Sequence, residues 1–415
     1  MFRARSRRED FGWIVALPDG TIDVYDRDVQ GLPTGEVAAH RVAVPADLGR
    51  LSGPITAGIE LTLACNLTCQ HCYISAGTAR DGELPTRRVL QNAQLLADAG
   101  VLFTFLTGGE VTLRPDFPEL VTGVAETGLD YNVISNGSGL STSVLRRIPP
   151  QTTFVISVDG LAAHHLLRGR QTFEQVTARI LALRESGFPV IGSTVVNRVN
   201  LAELPELYAW AERHRVIVTV LDVQTVGRAR ENAAMLRLRR DDLDGYRRFL
   251  AAKLRYERLL PQLYDENFGG AREYSNPNYY GFEETLMTAT GLNYQGNFYV
   301  YVAADGVVYP DNFYAGEKLY PGGVLGRDDF ADIWARIRQA TAGSNYDAFD
   351  CRGCPVHESG LFCDFKSAAL SLYLHGAPNV CGADDVEKEI MLMRSRVRDD
   401  EAAVGAATAR RYDNF

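Results

Sequence analysis

Between Pro54 and Gln224 the chain alternates six times between a short apolar run and a helical stretch, and that rhythm leaves few folds open. The strand candidates are "ITAGIELTL" (55–63), "VLFTFLT" (101–107), "YNVIS" (131–135), "TFVISVD" (153–159), "VIGSTVV" (190–196) and "VIVTVLDVQ" (216–224). Helices are expected near 86–99, from about Asp116, briefly after "YNVIS", around 172–186 and near 202–214. Apolar strands alternating with helices build a parallel sheet with the helices outside. Eight such units make a full barrel of roughly 250 residues. Six predict an α/β fold of narrower compass: a partial (β/α)6 TIM-like barrel over residues 51–235.

The rest of the chain divides around this segment. Residues 1–50 form a β-rich extension, with "GWIVALP" and "TIDVYD" joined through a turn at Asp19-Gly20. Residues 236–290 form a helical and irregular linker, whose "LRLRRDDLDGYRRFLAAKLRYER" reads as a charged amphipathic helix with a solvated face. Residues 291–390 form a small C-terminal domain, and 391–415 a tail that is either helical or frayed. Ten of the nineteen tyrosines fall between Tyr264 and Tyr320, which suits an irregular β-rich region packed through aromatic rings, or a substrate groove. The net charge of −9 provides no overall basic field for nucleic acid or anionic membrane. No run approaches the ~18 apolar residues of a membrane span, and no export signal precedes the first strands. The chain is therefore expected to be soluble and cytoplasmic.

In such a compartment disulfides are rare, and the seven cysteines point to metal or redox chemistry. They fall into two groups. Cys65, Cys69 and Cys72 lie in "CNLTCQHCY", directly after the first barrel strand, and the C-terminal ends of parallel strands are where active-site loops sit. Three thiols in one short loop suit a [4Fe–4S] cubane with one iron left open. The alternative is a zinc site completed by His71 or a distant residue, although structural zinc prefers two ligand pairs a dozen or more residues apart. Cys351, Cys354, Cys363 and Cys381 form the second group, enough to close an iron–sulfur cluster or a structural zinc site.

The spacing of the first group resembles the signature of the radical S-adenosylmethionine (SAM) enzymes. In that family the open iron is chelated by SAM, whose reductive cleavage yields a 5′-deoxyadenosyl radical that abstracts hydrogen from substrate. The resemblance implies that Tyr73 packs near the adenine. It extends to "FLTGGEV" after the second strand, where Gly108, Gly109 and Glu110 match the family's Gly-Gly-Glu; a carboxylate there suits the methionyl ammonium. It assigns Ser135 and Asn136 ("VISNG") to the ribose, places Ser157 and Asp159 ("VISVDG") at the same mouth, and pairs Arg168 ("HHLLRG") with the SAM carboxylate. "VGRA" (Val226 to Ala229) resembles the turn after the sixth strand. Taken singly, each of these polar residues suits a turn or helix cap better than a ligand; their recurrence at successive strand ends is what points to a ligand.

The second cysteine group resembles the SPASM or twitch extension of these enzymes, which implies a small C-terminal iron–sulfur domain. Asn293, Asp311 and Ser367 stand where a two-cluster SPASM domain has cysteine, so the expectation is one auxiliary [4Fe–4S] cluster held by Cys351, Cys354, Cys363 and Cys381. Two clusters in all leave no spare thiol, which argues against a cysteine-dependent radical epimerase. Asp311, at one of the vacated positions, is a candidate to serve substrate. The implied activity is oxidative modification or cross-linking of a ribosomally made peptide, with electrons from a flavodoxin- or ferredoxin-type donor. Residues 1–50 are short for a leader-peptide recognition domain, which keeps open a dehydrogenase of a small aminocyclitol or sugar. A non-catalytic cluster-binding or electron-transfer protein is the reading from another class.

Overall fold

The computed structural model describes residues 5–16, 22–29, 31–32, 34–43, 51–268, 296–341, 351, 353–358, 381 and 383–402. The N-terminal extension forms an antiparallel sheet of β1 (Arg5–Glu9), β2 (Gly12–Ala16) and β3 (Ile22–Tyr25). Six parallel strands follow: β4 (Thr56–Thr62), β5 (Phe103–Gly108), β6 (Asp130–Ser135), β7 (Thr153–Ser157), β8 (Val190–Val196) and β9 (Ile217–Asp222). They pair in chain order, each with its successor, as the partial (β/α)6 barrel requires.

Alternation along the strands separates an outer face from an inner one. Ala57, Ile59 and Leu61 of β4 join the main core beneath the helices, as do Leu106, Val133, Phe154 and Ile156 of the next three strands. The helices present matching stripes. Thr86–Asp98 buries Val89, Asn92, Ala93, Leu96 and Ala97, the spacing of one helical face. The helix Phe173–Glu185 starts at a capping box between Thr172 and Gln175. On the inner face the residues alternate with these: Phe105, Ile134, Val155, Ser157, Ser193, Val195 and Thr219 are half-buried, and Leu221 is exposed. The lumen is thus lined by apolar and hydroxyl side chains that solvent still reaches.

The C-terminal half adds β10 (Tyr299–Val302), β11 (Val307–Tyr309) and β12 (Gly323–Val324) to the same sheet. Strand β10 lies parallel to β4 with Tyr301 opposite Gly58, and the β10–β11 hairpin is antiparallel. Glycine is required at 58, since a Cβ there would lie 2.3 Å from the Tyr299 hydroxyl oxygen. Tyr299, Tyr301, Tyr309 and Tyr314 pack as one aromatic layer, so these four follow the aromatic-packing expectation. Residues 269–295, with the remaining tyrosines of that stretch apart from Tyr264 and Tyr320, lie outside the described residues.

The N-terminal sheet closes the end of the barrel away from the strand tips. Ile14 and Val24 pack with Ile55, Leu102, Phe103 and Phe298, all at the starts of barrel strands. Arg7 donates to the carbonyls of Pro54 (2.7 Å) and Gly100 (3.2 Å). The expected solvated linker helix instead joins the core. Leu243–Glu257 buries Tyr246, Phe249, Leu250 and Tyr256, and Tyr256 stacks on Tyr208 at 4.7 Å. Its many charges occupy one face only, and the apolar residues at helical spacing decide its packing. The chain's last described element is a helix, Asp385–Ala402, that spans the expected start of the tail. Arg394 from this helix forms a bidentate pair with Asp222 at the tip of β9, with the shorter contacts at 2.7 and 2.5 Å.

Candidate functional site

The loop after β4 is tied back on itself and gripped from three sides. Cys65 N–H donates to Gly77 O (2.9 Å) and Gly77 N–H to Leu63 O (3.0 Å), which closes its neck. Below the neck, the Glu83 carboxylate accepts from Thr62 Oγ1, Leu63 N and Arg80 N, each at 2.8 Å. From β5, Gly109 N–H donates to Thr62 O and Glu110 N–H to Ala64 O, both at 2.7 Å. This approach is what the two glycines permit. A Cβ on Gly108, whose φ is +148°, would lie 2.2 Å from Thr62 O, and one on Gly109 2.2 Å from Ala64 O. The close contact is with the backbone of the cysteine loop.

The third grip comes from the turn after β9. Arg228 donates through Nε to Cys69 O (3.1 Å) and through Nη1 to Ala76 O (2.8 Å), and its N–H donates to Cys72 O (3.0 Å). Asn232 Nδ2 donates to Gln70 O at 3.1 Å. "VGRA" signalled a turn in the sequence, but nothing local shows that Arg228 reaches back to the cysteine loop. Glu83 was missed for the same reason.

Each thiol in the loop has a hydrogen-bond donor. Leu67 N–H lies 3.5 Å from Cys65 Sγ, Ala76 N–H 3.4 Å from Cys72 Sγ, and Arg168 Nη1 3.7 Å from Cys69 Sγ. Burial pushes the Cys65 thiol up to about 11, and burial raises Cys69 as well against the opposing charge of Arg168. Such thiols ionise at neutral pH only with a cation to share their charge, and the donors are placed to stabilise thiolates once they do. Three soft sulfur donors with N–H partners fit an iron–sulfur cluster. His71, the nearby candidate for a fourth zinc ligand, is turned elsewhere: its Nε2 lies 3.4 Å from both Asp159 Oδ2 and Arg168 Nη2. Among the described residues no three His, Cys, Asp or Glu side chains converge as they would around a single ion.

Two buried networks knit the strand tips together. In the first, fully buried Glu110 accepts at Oε1 from Thr112 N (3.2 Å), Thr112 Oγ1 (2.6 Å) and Ser135 Oγ (2.7 Å), and at Oε2 from Asn136 N (2.7 Å). Asn136 Nδ2 then donates to Asn66 Oδ1 in the cysteine loop at 2.9 Å. Glu110, Ser135 and Asn136 are therefore brought together, with Glu110 engaging its protein neighbours through both oxygens.

In the second, Arg168 Nε donates to Asp159 Oδ2 at 2.5 Å while Val195 N–H donates to Asp159 Oδ1 at 2.9 Å. Burial works against the Asp159 anion, but Arg168 and His71 outweigh it and hold the carboxyl down at about 2. Burial likewise opposes the Arg168 cation, and Asp159 and Cys69 raise its pKa overall. His164 Nδ1 accepts from Asp159 N–H (3.1 Å), and its Nε2 sits 3.3 Å from Gln171 Oε1, whose amide donates to Asn136 O (2.8 Å). Asp159 is thus a buried anchor for Arg168 and does not open onto the mouth, and Arg168 spans Asp159 and Cys69. Ser157 remains at the lumen, half-buried opposite Ser193 of β8.

Tyr73 sets its ring edge-on to Phe313 at 5.6 Å, with its hydroxyl near Asn312 and Thr107. Asp311 is fully buried and caps the helix Asn312–Glu317, accepting from Phe313 N (2.7 Å) and Tyr314 N (2.8 Å). A residue expected to serve substrate is thereby an N-cap, since a carboxylate just before a helix meets the first free N–H groups. Cys354 follows Cys351 in a turn (Cys354 N to Cys351 O, 3.0 Å) and packs with Val356, Met391 and Leu392. Cys381 lies four residues before the helix that carries Met391. Asn293, Cys363 and Ser367 lie outside the described residues.

Comparison with known proteins supplies the context. The Radical SAM superfamily model matches residues 59–211. Mycofactocin maturase MftC of Mycobacterium tuberculosis (strain ATCC 25618 / H37Rv) is 33% identical over 184 residues, 43% of this chain and 47% of that protein. Sporulation killing factor maturation protein SkfB of Bacillus subtilis (strain 168) is 34% identical over 158 residues, 37% of this chain and 38% of that protein. The chain spans about half the length, or less, of these curated relatives. Among solved structures, Streptococcus suis SuiB bound to precursor peptide SuiA superposes with a TM-score of 0.66, covering 92% of this chain and 99% of that one at 13% identity. At that identity the likeness is one of fold.

Proposed function

We propose that this chain, a radical SAM protein by its match over residues 59–211 and by its fold, oxidatively modifies or cross-links a ribosomally made peptide. The observation that carries the reading is the closed, three-way gripped loop that presents Cys65, Cys69 and Cys72, each with a donor on its sulfur. When bound, a [4Fe–4S] cluster and SAM supply reductive sulfonium cleavage and a 5′-deoxyadenosyl radical able to abstract hydrogen. The chain's own residues do the rest. The three thiolates would hold the cluster, Arg168 would offset charge at Cys69, and Glu110 fixes the tips of β5 and β6 against the loop. The half-buried Ser157, Ser193, Ile134 and Val155 line the lumen where a nucleoside and a substrate side chain would lie. Cys351, Cys354, Cys363 and Cys381 would hold one auxiliary cluster, and a flavodoxin- or ferredoxin-type protein would deliver the electron. The peptide substrate is supported by the names of the relatives, two of them maturases, and by a fold neighbour solved with its precursor peptide.

Anaerobic reconstitution tests this directly. The protein should carry about eight iron and eight sulfide per chain and form 5′-deoxyadenosine from SAM and dithionite. The triple variant Cys65→Ala, Cys69→Ala, Cys72→Ala should keep about half the iron and form none. About four iron with one zinc would remove the auxiliary cluster, and absence of 5′-deoxyadenosine from the loaded wild type would end the enzymatic reading. Mass loss on a peptide encoded beside the gene decides the substrate, against oxidation of an aminocyclitol or sugar.

A further inference from the structure

We infer that the outer face of the cysteine loop is the docking surface for an acidic, one-electron carrier protein. The inference rests on the reading that the three thiols hold a redox cluster. Two short segments make the face: the helix Ala162–Arg168 with Gly169 and Arg170, and residues 228–239. They are packed together from beneath by Ala163, Leu167, Ala229 and Leu236. In the same two segments Leu166 is 65% exposed and Met235 40% exposed, although few large apolar side chains in the described residues are so open.

Charge marks the face as well. Residues 162–170 and 228–239 carry Arg168, Arg170, Arg228, Arg230, Arg237 and Arg239 against a single acid, Glu231, in a chain whose net charge is −9. Arg168 and Arg228 are turned inward to the loop and Arg237 to Asp384 and Glu387, while Arg170, Arg230 and Arg239 are exposed. Arg239 Nη2 donates to Ala234 O at 2.7 Å, which holds it beside Met235. Exposed apolar side chains and exposed arginines on the same two segments of an otherwise acidic protein favour an acidic partner and steer its approach.

Position supplies the function. Leu167 O accepts from Gln70 N at 2.7 Å, and Asn232 holds Gln70 O, so both segments touch the stretch between Cys69 and Cys72. Arg168, next in chain to Leu167, reaches Cys69 Sγ. A partner seated on these two segments would lie against the backbone that carries Cys69 and Cys72.

The test uses the reconstituted full-length protein and photoreduced flavodoxin as the probe. Leu166→Glu with Met235→Glu, and separately Arg170→Glu with Arg239→Glu, should raise the KM for flavodoxin in 5′-deoxyadenosine formation at least tenfold. The wild type's rate should fall steeply with salt, and the charge variant should lose that dependence. Dithionite-driven cleavage should stay within twofold of wild type, because the small reductant needs no docking. Binding of oxidised flavodoxin by calorimetry should weaken in parallel, which reads the surface without turnover. Unchanged flavodoxin binding and KM in both variants would overturn the inference, as would loss of precursor-peptide binding with carrier binding intact. Failure of dithionite-driven cleavage in wild type strikes the enzymatic reading instead, and the calorimetric comparison still decides the surface.

Discussion

Replacing Glu110 by glutamine asks whether this carboxylate serves its protein neighbours or a bound ligand. The substitution keeps shape and removes one acceptor. In the structure four donors converge on the carboxylate: Thr112 N–H, the Thr112 and Ser135 hydroxyls, and Asn136 N–H. A glutamine must place its NH2 on one side or the other. Facing Asn136, it sets two donors head to head; facing Thr112, it meets a backbone N–H and forces both hydroxyls to turn. Either way one charge-assisted bond is lost, roughly 1.5–3 kcal/mol, and a buried N–H is stranded at roughly 1–3 kcal/mol. The sum for Glu110→Gln is roughly 2.5–6 kcal/mol, a large part of a normal stability margin. Urea unfolding of the anaerobic apo-protein, followed by far-UV circular dichroism, reads this without any cofactor. Ser135→Ala removes one donor only and should cost about 1 kcal/mol, with the double variant less than additive because the two share a bond. An unfolding midpoint within about 0.5 kcal/mol of wild type, together with SAM binding weakened tenfold, would refute the reasoning and assign the carboxylate to the ligand.

Asp159→Asn leaves buried Arg168 without its counter-charge and should destabilise the apo-protein by roughly 3–5 kcal/mol, part of which Asp159→Asn with Arg168→Met recovers in the same urea experiment. Gly109→Ala forces a Cβ to 2.2 Å from Ala64 O and should cost roughly 1–3 kcal/mol and lower iron retention; Gly77→Ala, in open space on the same loop, should stay within about 0.5 kcal/mol. His164 is held to about 4 by burial and by Arg168. Its unfolded imidazole takes a proton near pH 6.5, so between those values the unfolded state binds more protons and stability falls as the pH drops. His164→Gln should flatten that slope in apo-protein melts taken from pH 7 to pH 4.5.

Much of the barrel was legible because its signals are local. "VIGSTVV" is β8 residue for residue, and the other five parallel strands start and end within a few residues of their apolar runs. The cysteine loop was legible for the same reason, since its spacing and its place after a strand lie in one short segment. Pairings across long separations were not. The hairpin 299–309, read as part of a C-terminal domain, lies in the barrel sheet, and no local pattern says which strand β10 will join. Individual roles at the strand tips were hidden for a related reason. Glu110, Asp159 and Arg168 all lie near the strand tips, but whether a polar side chain there meets a ligand or another side chain depends on what faces it. Asp311 shows the limit most simply: its carboxylate found two free amides at a helix start before it could find anything else.

The parallel pairing of β10 with β4 also bears on how the chain is made. Strand β4 leads directly into the cysteine loop, yet its second neighbour is some 240 residues further along. At ~5–20 residues per second, the ribosome needs roughly ten to fifty seconds to supply it. Through that interval β4 is an edge strand, with a row of unpaired amides beside three reduced thiols, the kind of edge that invites mispairing. Such a long-range contact also makes the final closure slow. Delivery of the proposed cluster is therefore best timed after residue 302 has emerged, and nascent chains stalled before it should be the ones that chaperones hold and oxidants damage.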